Sequence, residues 1–429
     1  MVSTLEKAIH AKSASVEMAK ASTDLKDRAL ERIAEVLLER KEEILEANAQ
    51  DCRESKDKIG DSLYKRLELD EAKIDSIVEG VKSVVRLKDP VGETLYAMEL
   101  EKDLEVYKVT VPIGVIGVVF ESRPDALVQI SCLCLKSGNA AILKGGSEAK
   151  HTNRMLYALI KTVTDDEGVP DGWVQLIESR EEVAQMLKLE DQISLIIPRG
   201  SNEFVKHIRD NTKIPVLGHA AGICHVYVDR EADLEKALRI AYDSKCQYPA
   251  VCNAMETLLI DRKIAKKFLP VVWGAYKAAG VSAKGDEEAC RIVGDISAAC
   301  ESDWGTEYND LILNVKIVDG IKEAVTWINR YGSGHTDAIV TEDEKTAKYF
   351  IGTVDSSSVM WNASTRFADG FRYGLGAEVG ISTNKIHARG PVGVDGLVSH
   401  KWVLKGKGHV VGDFVKRKYT HKRLNRKWS

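Results

Sequence analysis

The sequence predicts an α/β protein of two doubly wound lobes plus a small β flap. Short continuous apolar runs such as 115–120 are the mark of strands buried on both faces. Helical stretches with apolar residues at every third or fourth position lie between them. The alternation occurs in two consecutive series, one to about residue 228 and one from about 229 to 390. Such βαβ alternation implies parallel sheets with right-handed crossovers.

The elements follow in order. Thr23 or Asp24 is placed to cap a helix whose apolar face is Leu25, Ala29, Ile33, Val36, Leu37 and Ile44. Leu104, Val106, Lys108 and Thr110 alternate with charged or polar neighbours, as in a half-exposed strand that Pro112 interrupts. The first series has strands at 115–120, 140–143, 174–177, 194–197 and 223–228. Its helix after 144 is expected to be capped by Ser147, with Met155, Leu156, Leu159, Ile160 and Val163 inward. The second series has strands at 256–260, 311–315, 337–340 and 358–361. A Gly-rich segment, 392–414, carries alternating Trp402, Leu404, His409 and Val411, and is expected to return as a strand beside 104–110. Residues 416–429 hold seven Lys or Arg and no acid, and read as a frayed, solvated tail. No aromatic platform or RNA motif accompanies the tail, which disfavours a nucleic-acid partner.

Composition agrees with this class. The 429 residues suggest about two to four domains. A net charge of −4 with 44% hydrophobic residues excludes a disordered chain. Eight cysteines with no C-x-x-C pair exclude a disulfide scaffold and a zinc ribbon, and fit a reducing cytoplasm. No metal is expected. The N-terminus lacks the apolar core of a signal peptide, and no apolar run is long enough to span a membrane.

Neither G-x-x-x-x-G-K-[ST] nor G-x-G-x-x-G occurs, which argues against a P-loop enzyme and the usual dinucleotide fingerprint. Instead, three strand ends carry small or cationic residues: Glu121-Ser122-Arg123-Pro124, Lys144-Gly145-Gly146-Ser147-Glu148 and Pro198-Arg199-Gly200-Ser201. Ligands of open α/β sheets bind at such ends, where helix N-termini offer N–H donors to phosphates. Their joint position points to a dinucleotide. Cys252 follows Tyr248-Pro249-Ala250-Val251 at the start of the second series. It reads either as a thiol facing a cleft or as a small buried hydrophobe. In Asn362-Ala363-Ser364-Thr365-Arg366-Phe367, Arg366 can fork onto a carboxylate or phosphate, with Asn362 and Ser364 as neutral donors, or can make an ordinary surface ion pair.

These motifs, with 135–140, Cys252-Asn253-Ala254-Met255-Glu256-Thr257-Leu258-Leu259 and Ala388-Arg389-Gly390-Pro391-Val392-Gly393, resemble the γ-glutamyl phosphate reductases of the aldehyde dehydrogenase superfamily from about residue 5 to 412. The resemblance implies an aldehyde dehydrogenase-like fold. Its parts would be a cofactor domain (1–228, with 100–112 contributing to the flap), a catalytic domain (229–390), an oligomerisation flap (391–415) and the basic tail outside it (416–429). It implies reduction of L-glutamyl 5-phosphate by NADP(H), with Cys252 as the nucleophile. Ser122, Arg123, Asn253, Asn362, Ser364 and Arg366 would line the oxyanion and substrate site. Lys144, Gly145, Gly146, Ser147, Pro198, Arg199, Gly200, Ser201 and Glu307 would hold the cofactor, with Lys144, Ser147 and Arg199 as candidates for the 2′-phosphate. Where relatives carry a water-activating Glu-Leu-Gly-Gly, this chain has His219-Ala220-Ala221-Gly222. An acyl phosphate reductase needs no such water. A homo-oligomer, and channelling from glutamate 5-kinase, are the expected associations.

Overall fold

The computed structural model describes residues 2–121, 123–218, 221–412 and 419–428. Helices Thr4–Met18, Thr23–Glu39, Lys41–Ser55, Asp61–Leu67 and Glu71–Val85 open the chain. Ser22 caps the second by accepting from the Leu25 N–H at 3.2 Å, so Thr23 is its first helical residue rather than its cap. That helix ends at Arg40, and Ile44 belongs to the next one, yet both feed one core.

The first lobe is a four-stranded parallel sheet ordered Val174–Leu176, Ala140–Lys144, Val115–Phe120, Leu195–Arg199. Its central strand is buried along its whole length. The second lobe is a seven-stranded parallel sheet. It runs Ser297–Ala298, Ser282–Gly285, Ile312–Val318, Met255–Asp261, Cys224–Val228, Thr336–Val340, Ser358–Trp361. The strand expected at 223–228 therefore lies in the second sheet, between Met255–Asp261 and Thr336–Val340. A strand buried on both faces reads the same in either sheet, so its pattern does not reveal its partners. Farther on, Gly380–Ser382 and Gly390–Val392 form an antiparallel ribbon. Its neighbours Val379, Ala388, Val392, Val394 and Leu397 pack into the first lobe's core. The segment 377–397 thus returns to the first lobe.

The flap is a four-stranded sheet of Val398–Lys405, Leu104–Pro112, Thr94–Glu101 and Lys422–Arg423. Lys401 faces Val109 and Leu404 faces Val106 in the antiparallel ladder. The returning strand stops at Lys405, before His409 and Val411, where Gly408 takes φ 84°. Thr94–Glu101 is a strand the alternation did not signal; it pairs with Leu104–Pro112. The tail departs most from expectation. Lys422–Arg423 pairs with Met98 and Glu99. The Trp428 ring meets Tyr107 edge-on at 5.2 Å, and Leu424 and Trp428 pack against the Ala97, Tyr107 and Val109 cluster. Arg426 Nε donates to Tyr107 Oη at 2.9 Å. Two apolar side chains four residues apart among the charges suffice to cover that face. The rest of the tail, 416–418 and 429, lies outside the described residues. Among the described residues no helix is long and apolar enough to cross a membrane, and no cluster of three His, Cys, Asp or Glu suits a metal.

Candidate active site

Cys252 sits in the tight turn before Met255–Asp261, closed by the Ala254 N–H donating to Val251 O at 3.0 Å. Gly222 crosses directly over it. A Cβ on Gly222 would lie 2.1 Å from the Cys252 carbonyl oxygen and 2.5 Å from its Cα, so no side chain fits there. The Cys224 thiol donates to the same carbonyl at 3.2 Å. Cys252 is half-buried, whereas Cys132, Cys134 and Cys224 are fully enclosed. Burial pushes those three thiols up, Cys134 to about 12, and Cys246 to about 11.

Two guanidiniums lie within electrostatic reach of Cys252. Arg199 ends Leu195–Arg199, and its Cδ and Nη1 lie 3.4 Å from where a Cβ of Gly380 would be. Desolvation lowers its pKa and the neighbouring Arg123 adds to the fall; Glu378 opposes it most, then Cys252 and Asp125. Arg366 lies in the short turn Thr365–Phe367, and its Nε donates to Gln247 Oε1 at 2.9 Å. It too is lowered chiefly by desolvation, with Asp243, Asp369 and Cys252 on the other side. Ser364 holds this turn: its hydroxyl accepts from the Arg366 N–H at 3.2 Å and meets Ser244 Oγ at 3.1 Å. Asn253 donates through Nδ2 to Ala368 O at 2.8 Å, while its buried Oδ1 has no partner.

Asn362 is not brought to Cys252. It follows the carboxyl end of Ser358–Trp361, whereas Cys252 precedes the amino end of Met255–Asp261 in the same parallel sheet. There Asn362, at φ 53°, clasps Thr341 through both amide atoms, accepting from its N–H at 2.9 Å and donating to its carbonyl at 3.0 Å. Ser122 and His219 lie outside the described residues; Arg123 directly precedes helix Pro124–Lys136.

At the first lobe's other strand ends, Lys144 is half-buried, and desolvation lowers its ammonium pKa against the pull of Glu148. A Cβ at Gly145 or Gly146 would displace the side-chain ends of Asn153, Nδ2 at 2.1 Å, and Glu148, Oε1 at 2.0 Å. Ser147 opens a separate short turn, Ser147–Ala149, and does not cap the helix Lys150–Asp166. That end is taken by Asp51, whose carboxylate accepts from His151 N–H at 3.0 Å, Thr152 N–H at 2.8 Å and Thr152 Oγ1 at 2.6 Å. The loop Pro198-Arg199-Gly200-Ser201 leads into helix Asn202–Asp210, capped by Ser201. Glu121 Oε2 accepts from the Ser201 N–H at 3.1 Å, in the space a Gly200 side chain would take. Glu307, from the second lobe, accepts from Asn202 Nδ2 at 2.7 Å and so bridges the cleft.

Sequence reasoning missed a buried pair beside this bridge. Lys245 Nζ lies 2.8 Å from Glu256 Oε2, both side chains fully buried, and Glu256 Oε1 accepts from the Asn309 N–H at 3.3 Å. Burial raises the Glu256 carboxyl to about 7, against the pull of Lys245. Its signal in the sequence is an acid set inside the apolar run 255–260.

Curated relatives match along the whole chain. A γ-glutamyl phosphate reductase of Acetivibrio thermocellus is 53% identical over 430 residues, covering 100% of both chains. One of Ruminiclostridium cellulolyticum is 56% identical over 416 residues, 96% of each. The chain belongs to the γ-glutamyl phosphate reductases. The model of the wider aldehyde dehydrogenase family matches residues 3–298. A crystal structure of the γ-glutamyl phosphate reductase of Thermotoga maritima superposes with a TM-score of 0.93 at 42% identity, covering 95% of this chain and 99% of that one. An acetylating aldehyde dehydrogenase of Geobacillus thermoglucosidasius, 18% identical with a TM-score of 0.65 over 95% of this chain and 97% of that one, shares the fold. For a γ-glutamyl phosphate reductase, an oxidoreductase of aldehyde dehydrogenase-like fold, the residues in the cleft suit a nicotinamide dinucleotide. They offer a half-buried ammonium, side-chain-free backbone at Gly145–Gly146 and an acid, Glu307, across the cleft.

Proposed function

We propose that this chain reduces L-glutamyl 5-phosphate to L-glutamate 5-semialdehyde and phosphate with NADPH, the second step of proline synthesis from glutamate. The carrying observation is a half-buried Cys252 with Arg199 and Arg366 both within electrostatic reach.

The thiolate of Cys252 is the form that attacks. It adds to the acyl carbon, and phosphate departs without protonation, leaving a thioester on Cys252. Lys144, Gly145, Gly146, Ser147 and Glu307, with Pro198, Gly200 and Ser201, would hold the cofactor, which when bound supplies the hydride. As the thioester carbonyl is reduced, its oxygen gains charge. The Cys252 backbone N–H and a donor from the 122–123 loop would stabilise that charge. Collapse of the thiohemiacetal restores the thiolate and frees the semialdehyde, which cyclises to pyrroline-5-carboxylate. Arg123 or Arg366 would bind the phosphate or α-carboxylate. The setting is a reducing cytoplasm, and the exposed Trp402 and Leu404 of the flap suit a homo-oligomer, on which glutamate 5-kinase could channel its product.

Cys252→Ala should abolish phosphate-dependent reduction of NADP⁺ on pyrroline-5-carboxylate while leaving NADPH binding intact. A near-normal rate in that variant sinks the assignment.

A further inference from the structure

L-Glutamyl 5-phosphate carries two anions at unequal distances from the reacting carbon. The phosphate is joined directly to the acyl group, and the α-carboxylate lies beyond two methylenes and the α-carbon. The structure places its cations in two unequal groups around Cys252. Arg199 ends one strand of the first lobe and Arg123 opens the helix after the neighbouring strand, close enough to Arg199 to disfavour its charge. Arg366 comes from the second lobe, in the turn that closes on Asn253 through the Ala368 carbonyl.

We propose that Arg199, with Arg123, binds the phosphate, and that Arg366 with Asn253 binds the amino-acid head. This rests on the reading above. Three observations separate the roles. First, the phosphate must leave before hydride arrives, so its contacts belong on the cofactor-bearing lobe. The amino-acid head stays attached through both steps, so its anchor belongs on the lobe that carries Cys252. Second, Arg366 is only 8% exposed, and among the described residues its side chain hydrogen-bonds through Nε alone, to Gln247. Its outer nitrogens are left to grip a carboxylate as a fork. Third, Asn253 is 4% exposed with Oδ1 buried and unpartnered, an acceptor suited to the α-ammonium next to that carboxylate. On the other side, Gly380 keeps its position beside the Arg199 guanidinium free of a side chain, and Glu378 offsets the arginine's charge more than any other carboxylate.

The test uses the oxidative direction, in which inorganic phosphate and pyrroline-5-carboxylate are separate substrates with separate KM values. Arg199→Lys should raise the KM for phosphate about tenfold to a hundredfold, the worth of a lost charge-assisted fork. It should leave the KM for pyrroline-5-carboxylate within about twofold. Arg366→Lys should do the reverse. Glu378→Gln, which frees positive charge at Arg199, should lower the KM for phosphate, and this guards against an Arg199 variant that does not fold. A wild type with no phosphate-dependent reduction of NADP⁺ overturns the enzymatic reading itself. An active wild type whose Arg199→Lys or Glu378→Gln variant moves only the pyrroline-5-carboxylate KM, or whose Arg366→Lys moves only the phosphate KM, overturns the assignment alone.

Discussion

The first lobe's helix ends and the ground around Cys252 treat positive charge in opposite ways. At helix Lys150–Asp166 the free N–H groups are met by Asp51, and at Asn202–Asp210 the Ser201 N–H is met by Glu121. Around Cys252, Arg199 and Arg366 are desolvated, and neighbouring carboxylates offset their charge only in part. A helix terminus is an anion site by default, but one already served by the chain's own carboxylate is architecture. A guanidinium only partly offset by its counter-charge keeps potential for a substrate. The contrast separates structural from functional cations better than residue type does.

The strongest way to break the comparison is to keep the charges and move Cys252. Gly222→Ala places a methyl against the Cys252 backbone, which cannot yield as a side-chain tip would. A displacement of about 1 Å costs on the order of a hundredfold in turnover. We expect that loss in kcat with cofactor binding retained; an unchanged kcat would mean that the Gly222 crossing does not position Cys252.

A smaller effect concerns the buried pair. Lys245→Ala leaves Glu256 buried without its cation and should cost about 3–5 kcal/mol. The pH dependence has a definite sign. Folding raises the Glu256 carboxyl from 4.5 to about 7. Its contribution is therefore fully present below the unfolded value and is lost as pH rises through about 7. Urea unfolding at pH 5 and pH 8 should show the wild type losing stability with rising pH, and Glu256→Gln should flatten that slope. A slope unaltered in Glu256→Gln would assign the titration to another group.

The smallest effect sharpens the other side. Asp51→Ala removes the acceptor at the N-terminus of Lys150–Asp166 and should cost about 1–2 kcal/mol. If that terminus is architecture, the melting temperature falls while the KM for the cofactor stays put. A raised cofactor KM at unchanged stability would reverse the assignment.

Much of this was legible in the sequence. The runs at 115–120 and 358–361 are strands at those bounds. The return of the 392–414 segment as a strand beside 104–110 was expected from its alternation, and the strand that forms is Val398–Lys405. Cys252 stood out by its neighbours and by resemblance. Other features were hidden for identifiable reasons. Asn362 reads as a free donor, yet it clasps Thr341 at the far end of the sheet, because a loop's sequence does not say which edge it leaves. Arg199 was grouped with the cofactor by its strand end, but its side chain runs past Gly380 to within electrostatic reach of Cys252. The tail's charge concealed Leu424 and Trp428, whose role depends on a flap face built from distant strands.

Periodicity and turn residues are local properties, so the sequence by itself determined the α/β class and most strand positions. Which sheet holds Cys224–Val228, which arginines face Cys252 and which carboxylates close the helix ends were decided only in the tertiary structure. Each depends on contacts between segments far apart in the chain, such as Asp51 with Thr152 and Gly222 with Cys252, whose energies follow distance in space.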